Sequence, residues 1–170
     1  KLLGGPQAGI ILGRSKIMEA LARHPLARAL RPDKMTLAAL EATLMAYAED
    51  EPERLPLWRL AAVAQKELLA RAERLCERLT DGAPGVEISA EETDATAGGG
   101  SSPSRPLPSA AVIVTTDEPD EFAARLRMGS PPVVARIADD RVVLDLRTVF
   151  AEQDDALADA LRGALAATRR

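Results

Sequence analysis

Aromatic side chains are almost absent from this 170-residue chain, which has only Tyr47, Trp58, Phe122 and Phe150. A surface that stacks single-stranded bases needs interleaved aromatics, for which this chain has almost no raw material, and no DNA partner is expected. Any core must be built from Leu, Ala, Val and Ile. Cysteine occurs once, at Cys76. A single thiol rules out an intramolecular disulfide framework and a multi-cysteine zinc site, no metal ligand set is expected, and a cytoplasmic location fits. No apolar run approaches the ~18 residues that read as a bilayer-spanning helix, so no membrane partner is expected. What remains is ordinary for a soluble globular chain: 46% apolar and 28% charged residues, with 22 basic and 26 acidic groups.

The charge is unevenly spread. Residues 1–34 hold seven basic and two acidic groups, whereas residues 81–170 hold nine basic and sixteen acidic ones. A positive end beside an acidic remainder is the pattern of a segment that handles an anion. Charge alone is better met by a solvated, arginine-rich helix face.

Apolar spacing and turn residues predict the elements. Ala8–Leu12, closed by Gly13, reads as a buried strand. Ser15 is the expected N-cap of a helix over Lys16–Arg23, with Ile17 and Leu21 inward, and Pro25 ends it. Pro32 and Asp33 open a second helix reaching about Asp50, with Met35, Leu37, Leu40, Leu44 and Tyr47 as its inward stripe. Residues 55–80 read as helix in two pieces, with Cys76 as a small buried hydrophobe. Strands are expected at Val86–Ser89 and Ala110–Thr115, a helix at Pro119–Met128, and a hairpin of Val133–Ile137 with Arg141–Leu146 around Asp139-Asp140. Asp154–Thr168 reads as a closing amphipathic helix. Residues 85–170 are therefore expected to form an α+β module with a small, mainly antiparallel sheet. The lone strand at Ala8–Leu12 lacks partners within the sequence. The first residue is Lys rather than Met. Both features lead to the expectation that the beginning of the protein is missing.

Lys1 stands in front of a small-residue turn, Gly4-Gly5-Pro6. A lysine of lowered pKa forms a Schiff base with a carbonyl cofactor, and glycines let backbone approach a ligand. Arg28 and Arg31 lie three apart and share a face if the segment is helical; guanidinium forks suit a phosphate-like anion. His24, before Pro25 at a helix end, suits a capping role.

The run Lys1-Leu2-Leu3-Gly4-Gly5-Pro6-Gln7-Ala8-Gly9-Ile10-Ile11 resembles the pyridoxal-phosphate lysine segment of the bacterial selenocysteine synthases, the L-seryl-tRNA(Sec) selenium transferases. Four further stretches agree in order and spacing: His24–Arg31 with Asp33-Lys34, Thr36–Leu44, the Gly98–Ser101 loop with Leu107-Pro108, and Pro131–Ile137 leading to Leu144–Val149. The similarity spans essentially the whole chain. It departs from the family pattern at Ser102-Pro103-Ser104, where a Pro-Gly pair is usual, which puts the role of that loop in doubt.

The resemblance implies an α/β protein of the aspartate aminotransferase type (fold type I). Residues 1–54 would be the end of the large cofactor-binding domain, 55–84 a connecting helix and 85–170 the small α+β domain. It implies pyridoxal 5'-phosphate as cofactor, bound as a Schiff base to Lys1, with Lys1 as the base at the substrate Cα and a weaker cofactor contact from Gly4 and Gly5. It implies selenophosphate binding by Arg28 and Arg31. The implied reaction converts seryl-tRNA(Sec) to selenocysteyl-tRNA(Sec) by β-elimination to an aminoacrylyl group and addition of selenium, in a homo-oligomer built from dimers. Arg147 is expected in a structural salt bridge. The fragment alone is expected to be inactive. Two other readings compete: a related pyridoxal-phosphate lyase acting on a small amino acid without tRNA, and a non-catalytic interaction module.

Overall fold

The computed structural model describes residues 2–79, 84–96 and 106–168. They are mixed α/β and fall into two compact units, Lys1–Arg59 and Leu60–Arg170.

The first unit is helical. Helix α1 (Ser15–Arg23) is followed directly by the short α2 (Pro25–Ala29), then by α3 (Lys34–Ala48) and the start of α4 (Pro56–Ala61). Asp33 caps α3: its carboxylate accepts the N–H groups of Met35 (2.8 Å) and Thr36 (3.0 Å). These bonds, the Thr36 N–H foremost, hold the Asp33 carboxyl below its ordinary pKa. Ser15 is not a cap. It is the first residue of α1, and Arg14 occupies the N-cap position without a side-chain bond.

Two further expectations are corrected. Ala8–Leu12 is not a strand, and Ile11 and Leu12 are 65% and 90% exposed. A strand needs a neighbour to take its backbone hydrogen bonds, and the described residues of this unit include no other. The inward stripe of α3 is also different. Met35, Leu37 and Leu44 are exposed, whereas Thr43 and Ala46 are buried and Leu40 and Tyr47 half-buried. Alanine, leucine and methionine surround this helix, so apolar spacing does not select a face; the chain docked against it does.

The second unit carries the main core. Helix α5 (Gln65–Glu77) precedes β1 (Glu87–Ala95) and β2 (Leu107–Thr115); α6 (Pro119–Arg127), β3 (Arg136–Ala138), β4 (Arg141–Asp145) and α7 (Asp154–Thr168) follow. The four strands form one antiparallel sheet of order β1-β2-β4-β3. Strand β2 is central, with Ala111 paired to both Glu91 and Asp145. This position explains its unbroken apolar run, because both of its faces are covered. On one face Ala110, Val112 and Val114 pack with Val142 and Leu144 of β4, Leu68 and Leu75 of α5, Phe122 of α6 and Leu161 of α7. Ala111, Ile113 and Val143 form a smaller cluster on the other face. The helices contribute stripes at helical spacing, such as Leu68, Ala72 and Leu75. The expected hairpin is present, with its first strand at Arg136–Ala138 rather than Val133–Ile137. Asp139 and Asp140 both have positive φ (51° and 56°), the geometry of a two-residue turn whose twist matches its strands.

Two buried arginines stitch this unit. Arg71 of α5 donates from Nε (3.0 Å) and Nη2 (2.7 Å) to the two carboxylate oxygens of Asp154 at the start of α7, and from Nη2 to the Val149 carbonyl (3.0 Å). Arg147 makes no salt bridge among the described residues, which corrects the expectation for it. Its Nη1 donates to the carbonyls of Leu60 (3.1 Å), Ala61 (3.1 Å) and Val63 (2.9 Å), and its Nη2 donates to that of Pro108. Helix ends leave their last carbonyls without partners, and one planar guanidinium serves both the end of α4 and the start of β2. Burial pushes the Arg147 pKa down, against an opposing effect of Asp145. Asp145 is occupied otherwise, accepting from the Ser109 hydroxyl (2.5 Å) and the Arg147 N–H (3.0 Å).

Arg147→Met keeps the bulk and removes the donors. It should lower the unfolding free energy by about 2–4 kcal/mol, because several buried carbonyls lose their partner at once. Urea denaturation followed by circular dichroism measures this, and an unchanged midpoint would show that water takes over those carbonyls.

Candidate active site

Lys1 lies outside the described residues, as do residues 98–104 of the glycine-rich loop. The backbone that follows Lys1 is described, and it is seated on α3 and α4. The Tyr47 hydroxyl donates to the Leu3 carbonyl at 2.8 Å. The Trp58 indole N–H donates in turn to the Tyr47 oxygen. Gly4 has φ +79°, in the left-handed region that glycine occupies without strain, and a Cβ there would come within 3.1 Å of the Leu57 Cβ. At Gly5 a Cβ would lie 2.5 Å from Thr43 Oγ1 and 2.8 Å from its Cγ2. Thr43 is itself fixed, its hydroxyl donating to the Ala39 carbonyl at 2.7 Å. Thr43 and Tyr47 are four apart and so share one helix face. The glycine pair thus has a packing reason: it brings the chain close enough to α3 for the Tyr47 bond. Sequence reading singled out Gly4 and Gly5 but missed Thr43, Tyr47 and Trp58. The available signal was that the only tyrosine and the only tryptophan flank the region where the glycine pair docks.

His24 is the N-cap of α2, its Nδ1 accepting the Leu26 N–H at 3.2 Å with Pro25 as the first helical residue. Arg28 lies within α2. The helix stops at Ala29, so Arg31 is reached through a turn in which its N–H donates to the Arg28 carbonyl (3.5 Å), and not along a continuous helical face. Both arginines are exposed, and among the described residues neither forms an ion pair. Unneutralised, exposed guanidiniums in a segment of positive balance remain available to an anion. Beside them an apolar groove of about 830 Å³ is lined by Ile10, Ile11, Met18, Leu21, Leu26 and Leu30 among others, but by neither arginine.

Cys76 is half-buried against the main core, and burial, with Glu73 and Glu77 nearby, pushes its thiol pKa up. That disfavours the thiolate and fits the reading of an inert hydrophobe. Among the described residues no group of three or more His, Cys, Asp or Glu could hold a metal ion, and no helix is long and apolar enough to cross a membrane.

Gly5→Ala should cost about 1–3 kcal/mol of stability through overpacking against Thr43. Combined with Thr43→Ala, which removes the two nearest atoms, the total loss should fall short of the sum of the single losses by about 1 kcal/mol. Denaturant midpoints of the four proteins test this; strict additivity would mean that the turn does not rest on α3.

Residues 1–150 match the family model described as L-seryl-tRNA selenium transferase. The chain is similar to the L-seryl-tRNA(Sec) selenium transferase of Aquifex aeolicus, with 45% identity over 89% of this chain and 34% of that protein. The corresponding protein of Hyphomonas neptunium is 47% identical over 88% of the chain and 33% of its own length, and that of Geobacter sulfurreducens 42% identical over 95% and 36%. The chain therefore spans about a third of the length of the curated relatives it matches. By the extent of these matches, the chain belongs to the L-seryl-tRNA selenium transferase family.

Proposed function

We propose that this chain is the cofactor-lysine and C-terminal portion of a transferase that converts seryl-tRNA(Sec) to selenocysteyl-tRNA(Sec) with selenophosphate as selenium donor. The observation that carries the reading is the similarity, over nearly the whole chain, to relatives that bear the name of that enzyme. The fold belonging to it is fold type I of the pyridoxal-phosphate enzymes. Residues 1–54 are then the end of the large domain, 55–84 the connection and 85–170 the small domain, in a cytoplasmic homo-oligomer built from dimers.

The residues present fit pyridoxal 5'-phosphate in two respects. Lysine is the side chain that forms a Schiff base with an aldehyde, and the backbone just after Lys1 is tethered and closely packed. When bound, the cofactor supplies an electron sink for charge developing at the seryl Cα. Lys1 would hold it through Nζ, and the same amine, when free, would take the proton from the seryl Cα. The seryl β-hydroxyl would take up a proton and leave as water, selenium would bond to Cβ as the P–Se bond of selenophosphate is hydrolysed to release phosphate, and Cα would regain a proton. Arg28 and Arg31 hold the phosphate-like oxygens of the donor with their guanidinium forks. Gly4 and Gly5 keep the turn close-packed, and any contact they make with the cofactor is through backbone.

Two experiments on a protein of the relatives' full length test this reading. Borohydride reduction of the holoprotein should fix a pyridoxyl adduct on Lys1, and Lys1→Ala should abolish it; an adduct on another residue rules out Lys1 as the anchor. The Arg28→Ala, Arg31→Ala double variant should raise the KM for selenophosphate by about 10–100-fold, the loss of two charge-assisted contacts, with seryl-tRNA binding changed less than twofold. Equal loss of both substrates counts against the anion site, and turnover of free serine without tRNA identifies the related lyase instead.

A further inference from the structure

Among described residues 2–59 only Thr43 and Ala46 are buried. Hydrophobic burial therefore does little to fix the segment that follows Lys1, and Leu2 and Leu3 are themselves 47% and 39% exposed. The polar tether from α3 and α4 is the specific restraint that segment has besides the close packing of Gly4 and Gly5. That tether has a fixed direction. An indole N–H only donates and a carbonyl oxygen only accepts. The hydroxyl between them must accept from Trp58 and direct its single proton at the Leu3 carbonyl. A hydroxyl that accepts one hydrogen bond is polarised to donate a stronger one. The relay thus joins positions 58, 47 and 3 and ends two residues from Lys1. It uses the only tryptophan and the only tyrosine of the chain.

We propose that Tyr47 is a positioning residue for Lys1, with Trp58 acting through the Tyr47 hydroxyl, so that the relay fixes where the lysine amine is presented. The proposal rests on the reading of Lys1 as cofactor anchor and goes beyond it: neither aromatic side chain is assigned a contact with cofactor or substrate. Restraining the main chain at Leu3 limits the volume that the amine explores, which favours the bound geometry and slows exchange of the lysine for a competing amine.

The test uses the full-length holoprotein carrying Tyr47→Phe, Trp58→Phe, both changes together, or Ala46→Gly. The last lowers the stability of α3 without removing a donor or acceptor of the relay. Three quantities are read: the residue carrying the borohydride-fixed pyridoxyl group, the pH midpoint of the visible cofactor absorbance, and the rate at which hydroxylamine removes the cofactor. Tyr47→Phe should leave the label on Lys1, shift the pH midpoint and accelerate removal by about three- to tenfold, the effect of one hydrogen bond. Trp58→Phe should act in the same direction but more weakly. The double variant should equal Tyr47→Phe alone, because the indole works only through the hydroxyl. Ala46→Gly should lower the melting temperature and leave midpoint and removal rate at the parental values. Parental midpoint and rate in Tyr47→Phe, with Lys1 labelled, overturn the positioning role. The same holds if Ala46→Gly reproduces the Tyr47→Phe changes. A label elsewhere than Lys1 in the parent overturns the anchor reading itself.

Discussion

A backbone carbonyl withdrawn from water must be given a donor, and much of this chain is organised by how that requirement is met away from regular hydrogen-bond ladders. Arg147 gathers four carbonyls, three around the end of α4 and one at the start of β2. Arg71 adds the Val149 carbonyl to its bidentate grip on Asp154. Tyr47 ties down the Leu3 carbonyl at an exposed site, with a neutral donor and a single bond. In each case a side chain distant in sequence fixes a junction that local structure leaves open. The charged versions lie in the large core, where burial makes them costly to break. The neutral version lies in the thinly buried unit beside the expected chemistry.

This division separates two kinds of residue. The second unit holds the sheet and nearly all of the fully buried apolar side chains, so substitutions there are expected to act through stability. The first unit holds the basic excess, the exposed Arg28 and Arg31, and the turn that follows Lys1. Changes there alter surface chemistry and local geometry more than the core.

The elements with strong local signals were legible in the sequence. Asp33 and Pro119 at helix starts, the apolar run of β2 and the aspartate pair of the hairpin each act within a few residues, and the structure places elements there. The face of α3 was not legible, because a helix apolar on nearly every side is oriented by what docks on it. The expected strand at Ala8–Leu12 failed because apolar composition supplies no partner for its hydrogen bonds. The Arg147 clamp was invisible for a related reason: an arginine's spacing shows a carboxylate neighbour but not a cluster of carbonyls from 39 to 87 residues away. At the candidate site the sequence singled out Lys1, the glycine pair and the two arginines. The structure adds the seat of the glycine pair and the end of α2 between the arginines, and the 44-residue separation of Leu3 and Tyr47 hid the seat.

The four-stranded sheet leaves two outer strands, β1 and β3. An unprotected outer strand is a template for another chain. Here the two are blunted in different ways. β3 is three residues long, too short to nucleate a ladder. β1 is nine residues long but carries Glu87, Glu91, Glu92 and Asp94, so a second copy approaching it in register meets its own negative charge. Among the described residues the sheet is thus flanked by brevity on one side and by negative charge on the other, two features that disfavour self-templated pairing of an aliphatic, β-rich centre.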